Sequence, residues 1–303
     1  MLDNPSLIYE GPDDHNHTLA RPRAPLVLLH DGGGTTFSYH LLDPMDRPVW
    51  AIYNARLDEG GYWEGGIPQM AAHYIELIGG VLPEGGEILL GGWSLGGMLA
   101  LEMAWQLANR PPPTTTSKPR FTVIGMIFID SVYPKRLGEL RGNAMPSPSA
   151  QPIVKTAEEL KAMKLREKVD LNMTHARLMV GRWEMPDWPG REGEVPPTVL
   201  LRAKELVVEA EEERKGGSEV GAGVVDKKQE EGERGPVVKK SFVDYTRDFK
   251  MLGWDEYSEA RGGFIKKVVD IEGHHFSIFK TEHLEDVTNK IIAAAKFLDE
   301  PNF

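Results

Sequence analysis

Residues 87–109 read E-I-L-L-G-G-W-S-L-G-G-M-L-A-L-E-M-A-W-Q-L-A-N, and this stretch decides the architecture. Ile88-Leu89-Leu90 is a continuous apolar run that ends at a glycine pair, the mark of a strand buried on both faces. Beyond the turn, Leu95, Met98, Leu99, Glu102 and Met103 recur at helical spacing through residues 95–109, with Leu107 after them. Between strand and helix sits Gly92-Trp93-Ser94-Leu95-Gly96. A G-x-S-x-G pentapeptide is common by chance. Between a strand and a helix it holds its serine on a sharp, strained turn with the hydroxyl exposed. The two glycines fall where any side chain would meet the neighbouring strand or helix. The helix N-terminus directs amides and a positive dipole end at negative charge developing beside the serine. Ser94 is therefore the candidate nucleophile.

Outward from this turn the same alternation repeats. Apolar strand patterns occur at residues 25–30 (P-L-V-L-L-H), 49–53 (V-W-A-I-Y), 121–130 (F-T-V-I-G-M-I-F-I-D), 198–202 and 264–271. Helical patterns occupy 67–82, with Met70, Ala71, Tyr74, Ile75 and Ile78 on one face, and 284–298. Alternating strands and helices predict an α/β fold with a mainly parallel central sheet flanked by helices, and the serine turn makes it an α/β-hydrolase fold. Two segments interrupt the pattern. Residues 111–119 (P-P-P-T-T-T-S-K-P) read as a surface loop, and 156–180 is helical in pattern and rich in Met and Leu. Residues 209–240 carry many charges and no aromatic residue, a composition expected to give a disordered acidic linker.

Composition narrows the function. The 303 residues suffice for one large α/β domain with a substantial core, so no metal or disulfide staple is needed. The absence of cysteine excludes disulfides, a thiol nucleophile and thiolate metal sites, and it fits a reducing compartment. Residues 1–12 show no secretory signal, and no run of 18 apolar residues occurs; a cytoplasmic location with no membrane span is expected. A net charge of -11 argues against a nucleic-acid partner, whose phosphates require clustered Lys and Arg. No metal or cofactor is expected.

A serine nucleophile needs an oxyanion site, a base and an acid. The loop His30-Asp31-Gly32-Gly33-Gly34 follows the first strong strand, and small residues there let backbone approach substrate. The amides of Gly32 and Leu95 are the expected oxyanion donors. In this fold the base comes last in the chain. His274 and His275 follow the final strand, and G-x-H-F favours His275 because the ring then sits one residue past the turn. Two acids compete. Asp130 directly ends an apolar strand and Glu205 follows the next one, with the direct strand end tilting the reading toward Asp130.

The motifs H-D-G-G-G (30–34), G-W-S-L-G-G (92–97), I-F-I-D-S-V-Y-P (127–134), L-G-W-D-E-Y (252–257) and G-H-H-F-S-I-F (273–279) resemble the thioesterases of polyketide and non-ribosomal peptide synthesis, particularly free-standing fungal members. The resemblance implies Asp130 as the acid, His275 as the base, and Gly32 and Leu95 as oxyanion donors. It implies an acyl-Ser94 intermediate and a substrate held as a thioester on the phosphopantetheine arm of an acyl carrier protein. No carrier or ketosynthase segment accompanies these motifs, so the synthase is expected to be met in trans. The resemblance also implies a mobile helical lid, here 133–197, with Met179, Trp183 and Met185 as candidate pocket residues. The chain then divides into core (1–132), lid (133–197), core strand (198–208), linker (209–240) and C-terminal core with the base (241–303). Two rival readings are a carboxylester hydrolase or lactonase acting on free small molecules, and a non-catalytic binding protein.

Overall fold

Short apolar runs can be buried on both faces only if alternate side chains have a separate layer to enter. The computed structural model, which describes residues 3–12, 23–109, 121–135, 149–188, 194–207 and 241–300, shows both layers. Seven strands form one sheet: β1 Ser6–Tyr9, β2 Leu26–Leu29, β3 Val49–Ile52, β4 Gly86–Trp93, β5 Phe121–Ile129, β6 Thr198–Ala203 and β7 Ile265–Ile271. Their order is β1-β3-β2-β4-β5-β6-β7, with β1 antiparallel to β3 and every other pairing parallel. Val27, Leu29, Ile88, Leu90, Met126, Phe128 and Leu200 enter one core. Leu26, Leu28, Leu89, Ile127, Ile129, Val199 and Leu201 enter the other. Each such side chain contributes roughly 1.5–3 kcal/mol when fully buried.

Helices α1 (Gly66–Val81) and α2 (Leu95–Asn109) cover the first face. The C-terminal α6 (Leu284–Leu298) covers the second through Val287, Ile291, Ala294, Ala295 and Leu298. The first two thirds of α2 is buried all round, from Leu95 to Ala104. Its only charged residue there, Glu102, accepts bonds from Trp183 Nε1 at 2.9 Å and Gln106 Nε2 at 2.9 Å.

Three features depart from the sequence pattern. The edge strand β1 (S-L-I-Y) is not a continuous buried apolar run, because only Ser6 of its four residues is buried. The helical stretch 156–180 is two helices, α3 (Ala157–Ala162) and α4 (Leu165–Arg182), separated by extended backbone at Met163 and Lys164. Thr156 and Glu159 close a capping box at the first, and the Glu167 carboxylate accepts the Lys164 amide at 2.6 Å to start the second. A short helix α5 (Asp255–Glu259) adds Trp254 and Tyr257 to the first core. The Pro/Thr loop 111–119 and the acidic segment 209–240 lie outside the described residues. Among the described residues, no helix is long and apolar enough to cross a membrane.

Candidate active site

The turn between β4 and α2 is built by contact rather than by propensity. A Cβ on Gly92 would strike the Leu29 carbonyl and lie 2.8 Å from Gly96 Cα; one on Gly96 would strike the same carbonyl. Only glycine at both positions lets β2, β4 and α2 converge, and that convergence holds Ser94 at φ 55°. A left-handed non-glycine residue costs about 1–2 kcal/mol and persists where its surroundings hold it. Here the Ser94 amide donates to Ile129 O at 2.9 Å, and Ser131 Oγ donates to Ser94 O at 2.6 Å. Both partners flank Asp130, which is itself left-handed at φ 45° and donates its amide to Leu201 O at 2.7 Å. The two strand ends carrying Ser94 and Asp130 are thereby fixed to each other.

Asp130 is fully buried and accepts four hydrogen bonds. Its Oδ2 takes His275 Nδ1–H at 2.7 Å and Arg247 Nη2 at 2.9 Å; its Oδ1 takes Arg247 Nη1 at 2.6 Å and the Ala203 amide at 2.8 Å. Burial alone would raise this carboxyl, but the bonds and charges of Arg247 and His275 outweigh it and hold Asp130 well below the usual carboxylate range. An ionised Asp130 accepts only, so the proton on His275 sits on Nδ1 and Nε2 presents a lone pair. The His275 ring is buried between Trp93, at 5.4 Å between centroids, and Phe276, edge-on at 4.8 Å. Trp93 immediately precedes Ser94, so the ring lies at the serine turn.

The rivals are placed elsewhere. Glu205 is exposed, with its amide on Gly273 O at 3.0 Å. The His274 ring accepts the Phe276 amide at 3.2 Å through Nδ1, and burial lowers its pKa.

The glycine loop after β2 is braced from below and covered from above. Beneath it, buried His30 bonds Asp31 O at 2.6 Å through Nδ1 and Tyr74 Oη at 2.7 Å through Nε2. Burial pushes His30 down to about 4 against the opposing Asp31 bond, so the ring is neutral at pH 7. Asp31 accepts the Gly33 amide at 3.1 Å; burial pushes it up to about 6, opposed by the nearby His275 and by the Gly33 and Thr35 amides. Tyr39 Oη ties the strand ends together, donating to Leu29 O at 2.7 Å and accepting the Trp93 amide at 2.8 Å.

Above the loop lies α4. A Cβ on Gly32 would sit 2.7 Å from Met173 Sδ, and one on Gly33 would sit 2.9 Å from Val169. The helix is fastened by buried polar groups. Asn172 accepts Asn54 Nδ2 at 2.9 Å and donates to Lys168 O at 2.8 Å, while His175 Nδ1 donates to Gly60 O at 2.6 Å. Asn54 in turn accepts Trp63 Nε1 at 2.9 Å. Met179 and Trp183 are buried in the first core, and Met185 packs against it. Met179 and Trp183 also line a cavity of about 260 Å³ whose other walls are residues 62–68, Arg182 and Glu184. The residues of α4 placed against Gly32 are thus Met173 and, less closely, Ala176. Met173, Asn172, Tyr39 and Arg247 were not singled out in the sequence, since no local motif surrounds them. An i, i+3 and i, i+4 reading of 169–176 places Val169, Asn172, Met173 and Ala176 on one face, a signal that could have marked all four of these contacts.

A mainly parallel sheet, a strained serine at the β4–α2 turn, and a histidine after the last strand define the α/β-hydrolase class. A thioesterase-domain profile matches residues 24–169. The chain is 36% identical over 298 residues to the thioesterase frbE of Dothideomycetidae sp. (strain 11243), across 98% of this chain and 97% of that one. It is 31% identical to the probable thioesterase gloN of Glarea lozoyensis, across 96% of each. The crystal structure of the NocB thioesterase domain from the nocardicin cluster superposes with a TM-score of 0.56 at 22% identity, over 90% of this chain and 94% of that one. The chain belongs to the thioesterase family.

Proposed function

We propose that this thioesterase cleaves acyl chains from phosphopantetheine thioesters on the carrier protein of a secondary-metabolite synthase, of polyketide type, through an acyl-Ser94 intermediate. The observation that carries the reading is the bond from buried His275 to buried, ionised Asp130 beside a left-handed serine turn. His275 Nε2 takes the Ser94 proton as Oγ attacks the thioester carbonyl. The oxyanion forms against the amides of Gly32 and Leu95, and Leu95 opens α2, where backbone N–H groups have no partner within the helix. One such donor is worth about 3 kcal/mol of barrier. The C–S bond then breaks and the thiolate takes the proton back from His275. Water, or a hydroxyl or amine within the acyl chain, attacks the acyl-serine by the same proton route in reverse.

Two supports come from outside the triad. The thioesterase relatives frbE and gloN match nearly end to end. Helix α4 lies against the glycine loop, with Met173 over Gly32 and Val169 over Gly33, so an acyl group held at those amides would meet this helix. The test is labelling with a fluorophosphonate followed by peptide mass spectrometry, and turnover of carrier-bound acyl thioesters against matched oxoesters. Adduct on Ser94, lost in Ser94→Ala, with preference for the carrier-bound thioester supports the reading. Adduct on another residue overturns the nucleophile, and a preference for free oxoesters or lactones overturns the substrate class.

A further inference from the structure

Arg247 is called for by none of the steps above, yet it makes more contacts to Asp130 than His275 does. Its guanidinium, 8% exposed, grips both carboxylate oxygens at 2.6 and 2.9 Å and donates to Ala203 O at 3.0 Å. Its own place is set by Asp244, 3.6 Å away and fully buried, whose Oδ2 accepts the Val207 amide at 2.8 Å. Contacts therefore run from Val207, beyond the end of β6, by a hydrogen bond to Asp244, by an ion pair to Arg247, and by hydrogen bonds to Asp130 and then to His275.

We propose that Arg247 is a positioning residue of the reaction: it fixes the plane of the Asp130 carboxylate that orients His275, and it offsets part of the negative charge His275 faces. The first half follows from geometry. The terminal torsion of an aspartate is broad, and without Arg247 each Asp130 oxygen would keep one hydrogen bond, Oδ2 to His275 and Oδ1 to the Ala203 amide. The bidentate guanidinium adds a planar fork across both oxygens and so stiffens the plane those two bonds set. The second half follows from sharing. His275 Nδ1 and Arg247 Nη2 bond the same oxygen, so the imidazolium formed during attack faces an ion pair rather than a bare carboxylate. The other charged or titratable groups facing this pair are Asp31 of the glycine loop and His274 on the same turn as His275, with Asp244 behind Arg247. All three remain in every single variant; Asp244 loses its cation in Arg247→Met alone, and Asp244→Asn/Arg247→Met separates its contribution from that of Asp130.

This inference rests on the Ser94–His275 reading, and the experiment separates the two. The rate of fluorophosphonate labelling is measured against pH for wild type, Arg247→Lys and Arg247→Met, normalised to folded protein. Arg247→Met is expected to lower the limiting rate at least tenfold and to move the acid limb of the profile upward by about one pH unit, because the uncompensated carboxylate then favours a protonated ring. Arg247→Lys keeps the charge and loses the fork, so its limiting rate falls while its acid limb stays near wild type. A purely structural arginine would lower the melting temperature in both variants and leave the acid limb in place; that outcome overturns the proposal. If Arg247→Met does not fold, Asp244→Asn/Arg247→Met removes the second stranded carboxylate. If neither folds, an unchanged limiting rate in Arg247→Lys is decisive against the proposal and a lowered one supports it. Absence of labelling on Ser94 in wild type overturns the functional reading itself, and this inference with it.

Discussion

Replacing Asp130 by asparagine tests the site most sharply, because the surroundings of Asp130 contain only donors. One oxygen faces Ala203 N–H and Arg247 Nη1; the other faces His275 Nδ1–H and Arg247 Nη2. An asparagine must turn its NH₂ toward one of these pairs. Facing His275, it forces the proton onto Nε2 and removes the base, an effect on the order of 10⁴ in rate for a triad aspartate. Facing Ala203, it leaves a buried amide and a guanidinium hydrogen unpaired. Either way Arg247 loses its charged partner. Breaking a buried ion pair costs about 3–5 kcal/mol. Asp244, 3.6 Å from Arg247, keeps the loss near the lower end. At roughly 2–4 °C per kcal/mol, the melting temperature should fall by about 6–12 °C at pH 7. The sign with pH follows from the depressed Asp130 pKa. Its stabilisation is fully present above the unfolded value of 3.8 and is lost as pH falls toward the folded one, so the gap between wild type and variant narrows below about pH 4. The assays are fluorophosphonate labelling and thermal melts from pH 3.5 to 7. A variant that melts within 2 °C of wild type, with a gap independent of pH, would falsify the claim that Arg247 depends on Asp130.

Three further outcomes follow from the glycine loop and its cover. Asn172→Leu strands Asn54 Nδ2 on one side and crowds Gly34 and Gly61, and should destabilise by about 2–3 kcal/mol. Faster amide exchange in residues 165–182 than in α1 checks that the loss is local to the α4 contact. Met173→Ala opens space over Gly32 and should raise kcat/KM for thioesters branched next to the carbonyl about tenfold relative to linear ones; an unchanged ratio removes Met173 from the acyl site. His30 titrates in the unfolded chain near 6.5 and in the fold near 4, so its stabilisation is present above pH 6.5 and is lost as pH falls to 4, by up to about 3 kcal/mol. Asp31, pushed up to about 6, acts in the opposite direction over an overlapping range. The difference in melting temperature between wild type and His30→Asn across pH 4–7 therefore isolates the histidine; a flat difference assigns the acid sensitivity elsewhere.

The sequence by itself determined the layers and the turn. Continuous apolar strands such as Ile88-Leu89-Leu90 and Met126–Ile129 admit only a sheet covered on both faces, and Gly92 and Gly96 bracket a serine because backbone there touches backbone. These are local rules, readable within a dozen residues. A residue that ends a strand, as Asp130 does, is marked in the same way. What the tertiary structure decided is every contact made across long separations. It brought Asp130 to His275, 145 residues away, and Arg247 to Asp130, 117 residues away. It divided the 156–180 pattern at Met163 and Lys164, where caps on either side outweigh propensity. It set Met173 rather than Met179 or Trp183 against Gly32, because Asn172 and His175 dock α4 through partners near residues 54–61. Ion pairs and polar anchors leave no periodicity in a chain. Their free energy exists only once folding has removed water from both partners, and this is why the carboxylate that closes on His275 was legible while the guanidinium that holds it was not.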